Sequence, residues 1–211
     1  VMALTRLGLN QAINLATNTT GTLGVANGGT GLTSGTTDQF LKFTGATTVA
    51  SAAVDAGISQ AQIWRLTSNF TGDATPIASN LEAADTNSPG SIGSAMTQSS
   101  GIFTFPSTGI WLIQATGEFF YSGDSRYNQI IIEVTTNNSS YSEAAKNSAG
   151  IKQSESSHTY NSCSSQLMLD VTDTAQVKVR FTISVSDNST TTAGASSYNR
   201  THFSFLRIGD T

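Results

Sequence analysis

The 211 residues carry ten basic and fourteen acidic side chains, a net charge of −4. Only 11% of them are charged, against roughly a quarter in ordinary soluble domains. The charges are scattered singly, so no cationic stripe exists to release counterions from a phosphate backbone, no run of about 18 apolar residues offers a membrane-spanning helix, and the single Cys163 rules out an intrachain disulfide framework or a Cys-based zinc site.

The opening residues lack the charged, apolar and small-residue succession of a signal peptide. From Leu7 to Leu15 the residues Leu7, Leu9, Ile13 and Leu15 alternate with polar or small ones, a period-two stripe with a break at Gln11. A helix is the other option, weakened by Gly8. The stripe needs cover, either as a packed strand or as an anchor on another protein.

Between Asn18 and Ser51 the chain is mostly Thr, Gly, Ala, Ser and Asn, with isolated Leu23, Val25, Leu32, Phe40, Leu41, Phe43 and Val49. Ordering each residue's backbone costs about 1–2 kcal/mol, which so few apolar side chains cannot offset in a lone chain. The segment is therefore a linker or part of an intertwined oligomer, and its apolar anchors favour the second. Ser51 to Gln62, rich in alanine, is expected to form a short helix broken at Gly57 and to join this shaft to the residues beyond it.

From Ile63 onward the pattern becomes beta. Trp111, Ile113, Ala115, Gly117, Phe119 and Tyr121 share one strand face; Ile110, Leu112, Gln114, Thr116, Glu118 and Phe120 share the other. Ile130, Ile132 and Val134 form a second run, and Leu167, Leu169 and Val171 a third. Val177, Val179, Phe181, Ile183 and Val185 face inward against Lys178, Arg180, Thr182 and Ser184. With shorter runs at 63–66, 101–105 and 202–208 there are at least seven strands and no long amphipathic helix, so the fold class is all-β, a sandwich or jelly roll. The chain thus falls into two regions: an attachment and shaft segment over 1–60 and a head over 61–211.

Catalytic chemistry is not assembled. No G-x-S-x-G string occurs, His158 and His202 lie apart, and Cys163 has no flanking cation to make a thiolate. Glu118, Glu133, Asp170 and Asp173 carry no spacing that would pair them for glycoside cleavage. No calcium loop or cofactor motif is present, and Asp124 and Asp187 read as turn residues. The expectation is a protein without enzymatic activity, metal or cofactor. Asn-x-Ser/Thr triplets at Asn18, Asn69, Asn137, Asn138, Asn188 and Asn199 are what this composition produces by chance.

Recognition chemistry is better supplied. The segments 122–126, 137–165 and 187–199, expected as loops, combine Ser, Thr and Asn with Tyr141, Tyr160 and Tyr198, a mixture suited to adaptable contact. Those tyrosines and Asp124 are the candidate receptor-binding residues. Leu7, Leu9, Ile13 and Leu15 are the candidates for attachment to a neighbouring protein.

Two resemblances sharpen these expectations. GTLGVANGGTGLTSG, Gly21 to Gly35, resembles the VANGGTG element of bacteriophage tail-fibre and related virion proteins, and TTDQFLKFTGATTVA resembles the segment commonly found after it; Gly24 stands where that element often has proline. GIFTFPSTGIWLIQATGEFFY, Gly101 to Tyr121, and the closing THFSFLRIG are similar to the corresponding strands of C1q-like domains. The second likeness implies a ten-stranded jelly roll that forms tight homotrimers, in outline shared with tumour necrosis factor ligands. Together they imply a trimeric virion fibre or spike on a phage tail or capsid. It would be held to other virion proteins by its N-terminal segment and would attach to a host-surface glycan or protein through its head. A decoration or assembly module without receptor binding and a secreted C1q-like protein are the alternatives. Neither nucleic acid nor membrane insertion is expected.

Overall fold

The structure is a computed structural model that describes residues 36–37, 39–46, 48–53 and 57–211. The leucine stripe of Leu7, Leu9, Ile13 and Leu15 and the Gly21–Gly35 element lie outside the described residues. The chain divides into two units, one ending at residue 56 and one spanning Gly57–Thr211.

In the first unit β1 (Gln39–Gly45) pairs antiparallel with β2 (Thr48–Ala53). Leu41 lies opposite Ser51 and Phe43 opposite Val49, so Leu41, Phe43 and Val49 form an apolar patch on one face of this hairpin beside Ser51 and Gln39, and Phe43 is 68% exposed. A lone two-stranded hairpin is marginal in water. Of the helix expected over Ser51–Gln62, none of the described residues is helical: Ser51, Ala52 and Ala53 continue β2, Gly57 is a bend, residues 58–60 carry no regular structure, and Ala61 and Gln62 open the next strand. Ladder pairing with β1 overrides the helical preference of alanine there.

The second unit contains β3 (Ala61–Leu66), β4 (Phe70–Thr71), β5 (Leu81–Ala83), β6 (Ser91–Ile92), β7 (Thr97–Ser99), β8 (Ile102–Thr104), β9 (Gly109–Tyr121), β10 (Ser125–Thr135), β11 (Ser142–Ile151), β12 (Thr159–Val171), β13 (Lys178–Val185), β14 (Thr191–Thr192) and β15 (His202–Gly209). One sheet runs β11-β10-β13-β8-β7. The other runs β4-β14-β9-β15-β3-β5, with β12 on the free side of β9 and β6 beside β3. All pairings are antiparallel.

The two sheets close on an aromatic core. Phe181 of β13 stacks on Phe203 of β15, with centroids 3.9 Å apart and planes 4° from parallel, so the contact ties one sheet to the other. Phe103 meets Phe181 edge-on at 5.4 Å and lies tilted against Phe205 at 5.2 Å, while Phe105 and Trp111 close the cluster at 5.2 Å. The alternation read from β9 and β13 is the observed one: Trp111, Ile113, Ala115 and Phe119 are buried, as are Val179, Phe181, Ile183 and Val185.

The turn joining β7 to β8 shows why a glycine stands where it does. Ser100 and Gly101 both have positive φ, 50° and 79°, as a two-residue hairpin turn of the primed type requires. A Cβ at Gly101 would sit 2.1 Å from the Ile77 carbonyl oxygen.

The stretch Asn137–Ser165 is not a loop. Most of it is β11 and the first half of β12, two edge strands whose small and polar side chains hide them from hydropathy. Side-chain amides bridge these edges where the sandwich closes. Asn147 donates to the Ser164 carbonyl at 2.9 Å and Asn161 to the Gly150 carbonyl at 2.5 Å. Inside, Ser165 donates to the Ile130 carbonyl at 2.9 Å, and Cys163 is buried with its thiol against the Asn128 and Asn147 carbonyls. Burial pushes that thiol's pKa up, which makes it inert packing.

Candidate functional site

Register determines what the outer face of the β9-containing sheet presents. At one end Tyr160 lies opposite Phe120 and Ser162 opposite Glu118. Next come Ser164, Thr116 and His202 in one row, continued by the buried Arg65, then Gln166, Gln114, Ser204 and Ile63. Met168, Leu112, Leu206, Ala61 and Ile92 form the following row. The face is thus polar and aromatic at one end and apolar at the other. Met168, 65% exposed on β12, protrudes from one edge of the apolar band. At the opposite edge, Ala61, Ile63, Pro89, Ile92 and Leu206 line an apolar hollow of about 290 Å³.

The polar end is held by an ion pair. Arg200 Nε donates to Glu118 Oε2 at 3.0 Å and Arg200 Nη2 to Glu118 Oε1 at 2.6 Å, the two-pronged geometry that gives arginine–carboxylate pairs their strength. The Arg200 hydrogen bond holds the Glu118 carboxyl below its usual range, and Glu118 in turn raises Arg200. Tyr160 lies beside this pair with Arg200 5.4 Å from its ring centroid. Phe120 supports Tyr160 at 5.2 Å, and His158 meets Phe120 edge-on at 5.1 Å. His202 Nδ1 is bonded to the Arg200 carbonyl at 3.0 Å, and the residues enclose an open cleft of about 400 Å³.

The depressed Glu118 pKa sets a pH dependence. Its contribution to stability is complete above the unfolded-state value of about 4.3 and is lost as the pH falls through the lower folded-state value. Glu118→Gln should cost on the order of 1 kcal/mol at neutral pH. Urea midpoints of the two proteins should converge as the pH falls below 4. A difference that persists unchanged at pH 2.5 would contradict this.

The candidates named from sequence separate to opposite ends of the head. Tyr160, on β12 and not in a loop, shares an end with Tyr198 and Asp124. That end gathers the segments 122–124, 152–158, 186–190 and 193–201, because Tyr121 pairs with Thr159 and Ser125 with Ile151. Asp124 is committed to structure: it is ion-paired with Lys152 and accepts the Gln153 N–H at 2.9 Å, and Lys152 keeps its pKa low. Asp187 accepts the Ser189 N–H at 2.8 Å, an ordinary turn contact. Tyr141 lies at the far end, half-buried, with the Arg180 guanidinium 4.3 Å from its ring centroid. Arg180 is paired with Glu133 at 2.8 Å, and burial raises the Tyr141 pKa.

Sequence reading missed Arg200, whose partner is 82 residues away, and Met168, whose meaning depends on its neighbours in the row. It also missed Arg65, which is fully buried and ion-paired with Glu82 at 2.7 Å and with Asp85. Among the described residues no group of three or more His, Cys, Asp or Glu side chains is placed to hold a metal ion.

No protein-family profile and no curated protein sequence matches the chain. Solved structures do. The chain is similar to Eiger TNF from S. frugiperda, with a TM-score of 0.53 and 13% identity over 72% of this chain and 93% of that one. It is also similar to murine APRIL at pH 5.0, with a TM-score of 0.52 and 10% identity over 71% of this chain and 98% of that one. At these identities the likeness is one of fold: the head is a TNF/C1q-like jelly roll.

Proposed function

We propose that three copies of this chain form a bacteriophage virion appendage that attaches to the host surface through its jelly-roll head. The observation that carries the reading is the apolar band on the outer face. Met168 projects from the β12 edge, the hollow lies at the β3–β6 edge, and both belong to the same row, at equal height along the strands. A protrusion on one edge that enters a hollow on the other makes a head-to-tail contact, and such contacts close into a ring when the rotation between copies divides a full turn. The C1q-like and tumour necrosis factor families that the head resembles close in threes.

Three further features support the virion role. The sequence from Gly21 to Gly35 resembles the phage tail-fibre element. The β1–β2 hairpin has an apolar patch that other copies would cover. The chain enters the head at Ala61, in the apolar row, so the end bearing Tyr160 and Tyr198 lies farthest from that entry. The stripe of Leu7, Leu9, Ile13 and Leu15 would dock on another virion protein.

The test is the solution mass by light scattering, followed by immunogold electron microscopy of phage particles carrying the gene. Three 22.0 kDa chains and gold on a tail or capsid are expected. A monomer at micromolar concentration, or particles without gold, would overturn the reading.

A further inference from the structure

We propose that the hollow between Arg126 and Lys152 binds a carboxylate-bearing sugar unit of a surface polysaccharide. This rests on the reading of the head as an attachment module and names the chemistry it takes.

The hollow is built on a bulge. Ser125 pairs with Ile151 and Asn128 with Ala149, so Arg126 and Tyr127 together stand opposite Gly150. The extra residue bends β10 and re-aims its side chains, and both Arg126 and Tyr127 are exposed. A polar cluster holds that shape. Ser125 Oγ donates to Asn128 Oδ1 at 2.7 Å and Asn128 Nδ2 to the Ala149 carbonyl at 3.1 Å, while Ser186 Oγ accepts the Arg126 and Tyr127 N–H groups at 2.7 and 3.3 Å. Ser125 and Asn128 are buried, and a satisfied polar network at that depth fixes one backbone geometry. Gly150 completes it, since a Cβ there would stand 3.1 Å from the Arg126 carbonyl oxygen. With Asp124, Ile151 and Lys152 these residues enclose about 410 Å³, within the range of small-molecule sites.

Charge selects the ligand. Acidic side chains outnumber basic ones by fourteen to ten, yet among the described residues the Arg126 guanidinium makes neither an ion pair nor a hydrogen bond. Arg65, Arg180, Arg200 and Arg207 each face a carboxylate. The free fork matches the two oxygens of a ligand carboxylate. Asp124 does not oppose it, because Lys152 neutralises one oxygen and the Gln153 N–H occupies the other at 2.9 Å. Lys152 Nζ carries three donors, so the ion pair leaves it free to donate to sugar hydroxyls as well. Arg126 and Gly150 belong to the sheet opposite the one that bears the apolar band, and the hollow lies at the end of the head farthest from the chain's entry. Three such weak sites on one rigid head gain avidity on a repetitive polysaccharide.

Saturation-transfer NMR on the full chain tests this, with sodium glucuronate, sodium galacturonate, glucose 1-phosphate and methyl glucoside added one at a time. At least one uronate should receive saturation and methyl glucoside none, and added salt should weaken the uronate signal. Arg126→Ala should weaken uronate binding by about tenfold or more, and Arg126→Lys severalfold because the fork is lost. Both variants should keep the wild-type solution mass and urea midpoint, since the side chain is exposed and unpaired. No transfer to either uronate, equal transfer to methyl glucoside, or binding indifferent to Arg126→Ala would each overturn the proposal. Preference for glucose 1-phosphate over both uronates would overturn the carboxylate assignment. A trimer that labels virions but binds neither uronate would sink the site and leave the attachment reading standing. Uronate binding that depends on Arg126 in a protein absent from virions would do the reverse.

Discussion

Met168→Asp is expected to run as a folded single chain, and the wild-type protein as three. Burying a methionine side chain is worth about 1.5–3 kcal/mol, and a closed ring of three makes that contact three times. An aspartate at the same place forfeits the burial and must also shed water on entering a hollow lined by Ala61, Ile63, Pro89, Ile92 and Leu206. The effective desolvation cost is several kcal/mol per ion, enough to abolish association at micromolar concentration. Since Met168 is exposed in the single chain, the substitution touches nothing that holds the two sheets together, and near-ultraviolet circular dichroism should stay native.

Two controls make the result specific. Met168→Leu conserves the volume and should keep the mass of three chains. Lys146→Asp, on β11 of the other sheet and half-exposed beside Glu143, should also leave it unchanged. A Met168→Asp protein that still weighs three chains would show that the band is not the interface, whatever the matched heights of its two edges.

What the sequence disclosed and what it withheld divide along a physical line. β9 and β13 were legible because each puts large apolar side chains on one face and polar ones on the other, so period two survives in the sequence alone. β11 and the start of β12 were illegible because edge strands bury little: apart from Ile151 at the end of β11, the inward residues are Ala145, Ala149, Cys163 and Ser165, and none of these reads as core. The alanines of Ser51–Ala53 suggested a helix because propensity is local, whereas the pairing that makes them a strand is with β1. The site shows the same limit. Ile110 and Leu112 were visible as a second face, but only the registers of β12, β15, β3 and β6 add Met168, Leu206, Ala61 and Ile92 to their band. Glu118 had no local sign of its partner Arg200, and Tyr160 was singled out for its residue type while its strand went unrecognised.

Phe181→Ala should be the most destabilising single change within the head, and it should act in the opposite sense to Met168→Asp. Phe181 is 1% exposed and stacks on Phe203 across the two sheets, with Phe103 and Phe205 edge-on to it at 5.4 and 5.9 Å. Truncating a buried phenylalanine costs about 3–5 kcal/mol, a large share of the 5–15 kcal/mol that typically holds a domain together. The neighbours cannot collapse into the space, because Phe203 and Phe205 are fixed by the pairing of β15 with both β3 and β9. The urea midpoint should therefore fall steeply at fixed protein concentration, the control that matters because assembly itself raises apparent stability. Phe120→Ala, on the outer face, should move the midpoint far less. If Phe181→Ala and Phe120→Ala cost the same, the stacked pair is not what joins the sheets. If the Phe181→Ala chains that remain folded still assemble in threes, core and interface are independent, as expected when the residues that build the fold and those that join the copies lie on opposite faces of the same strands.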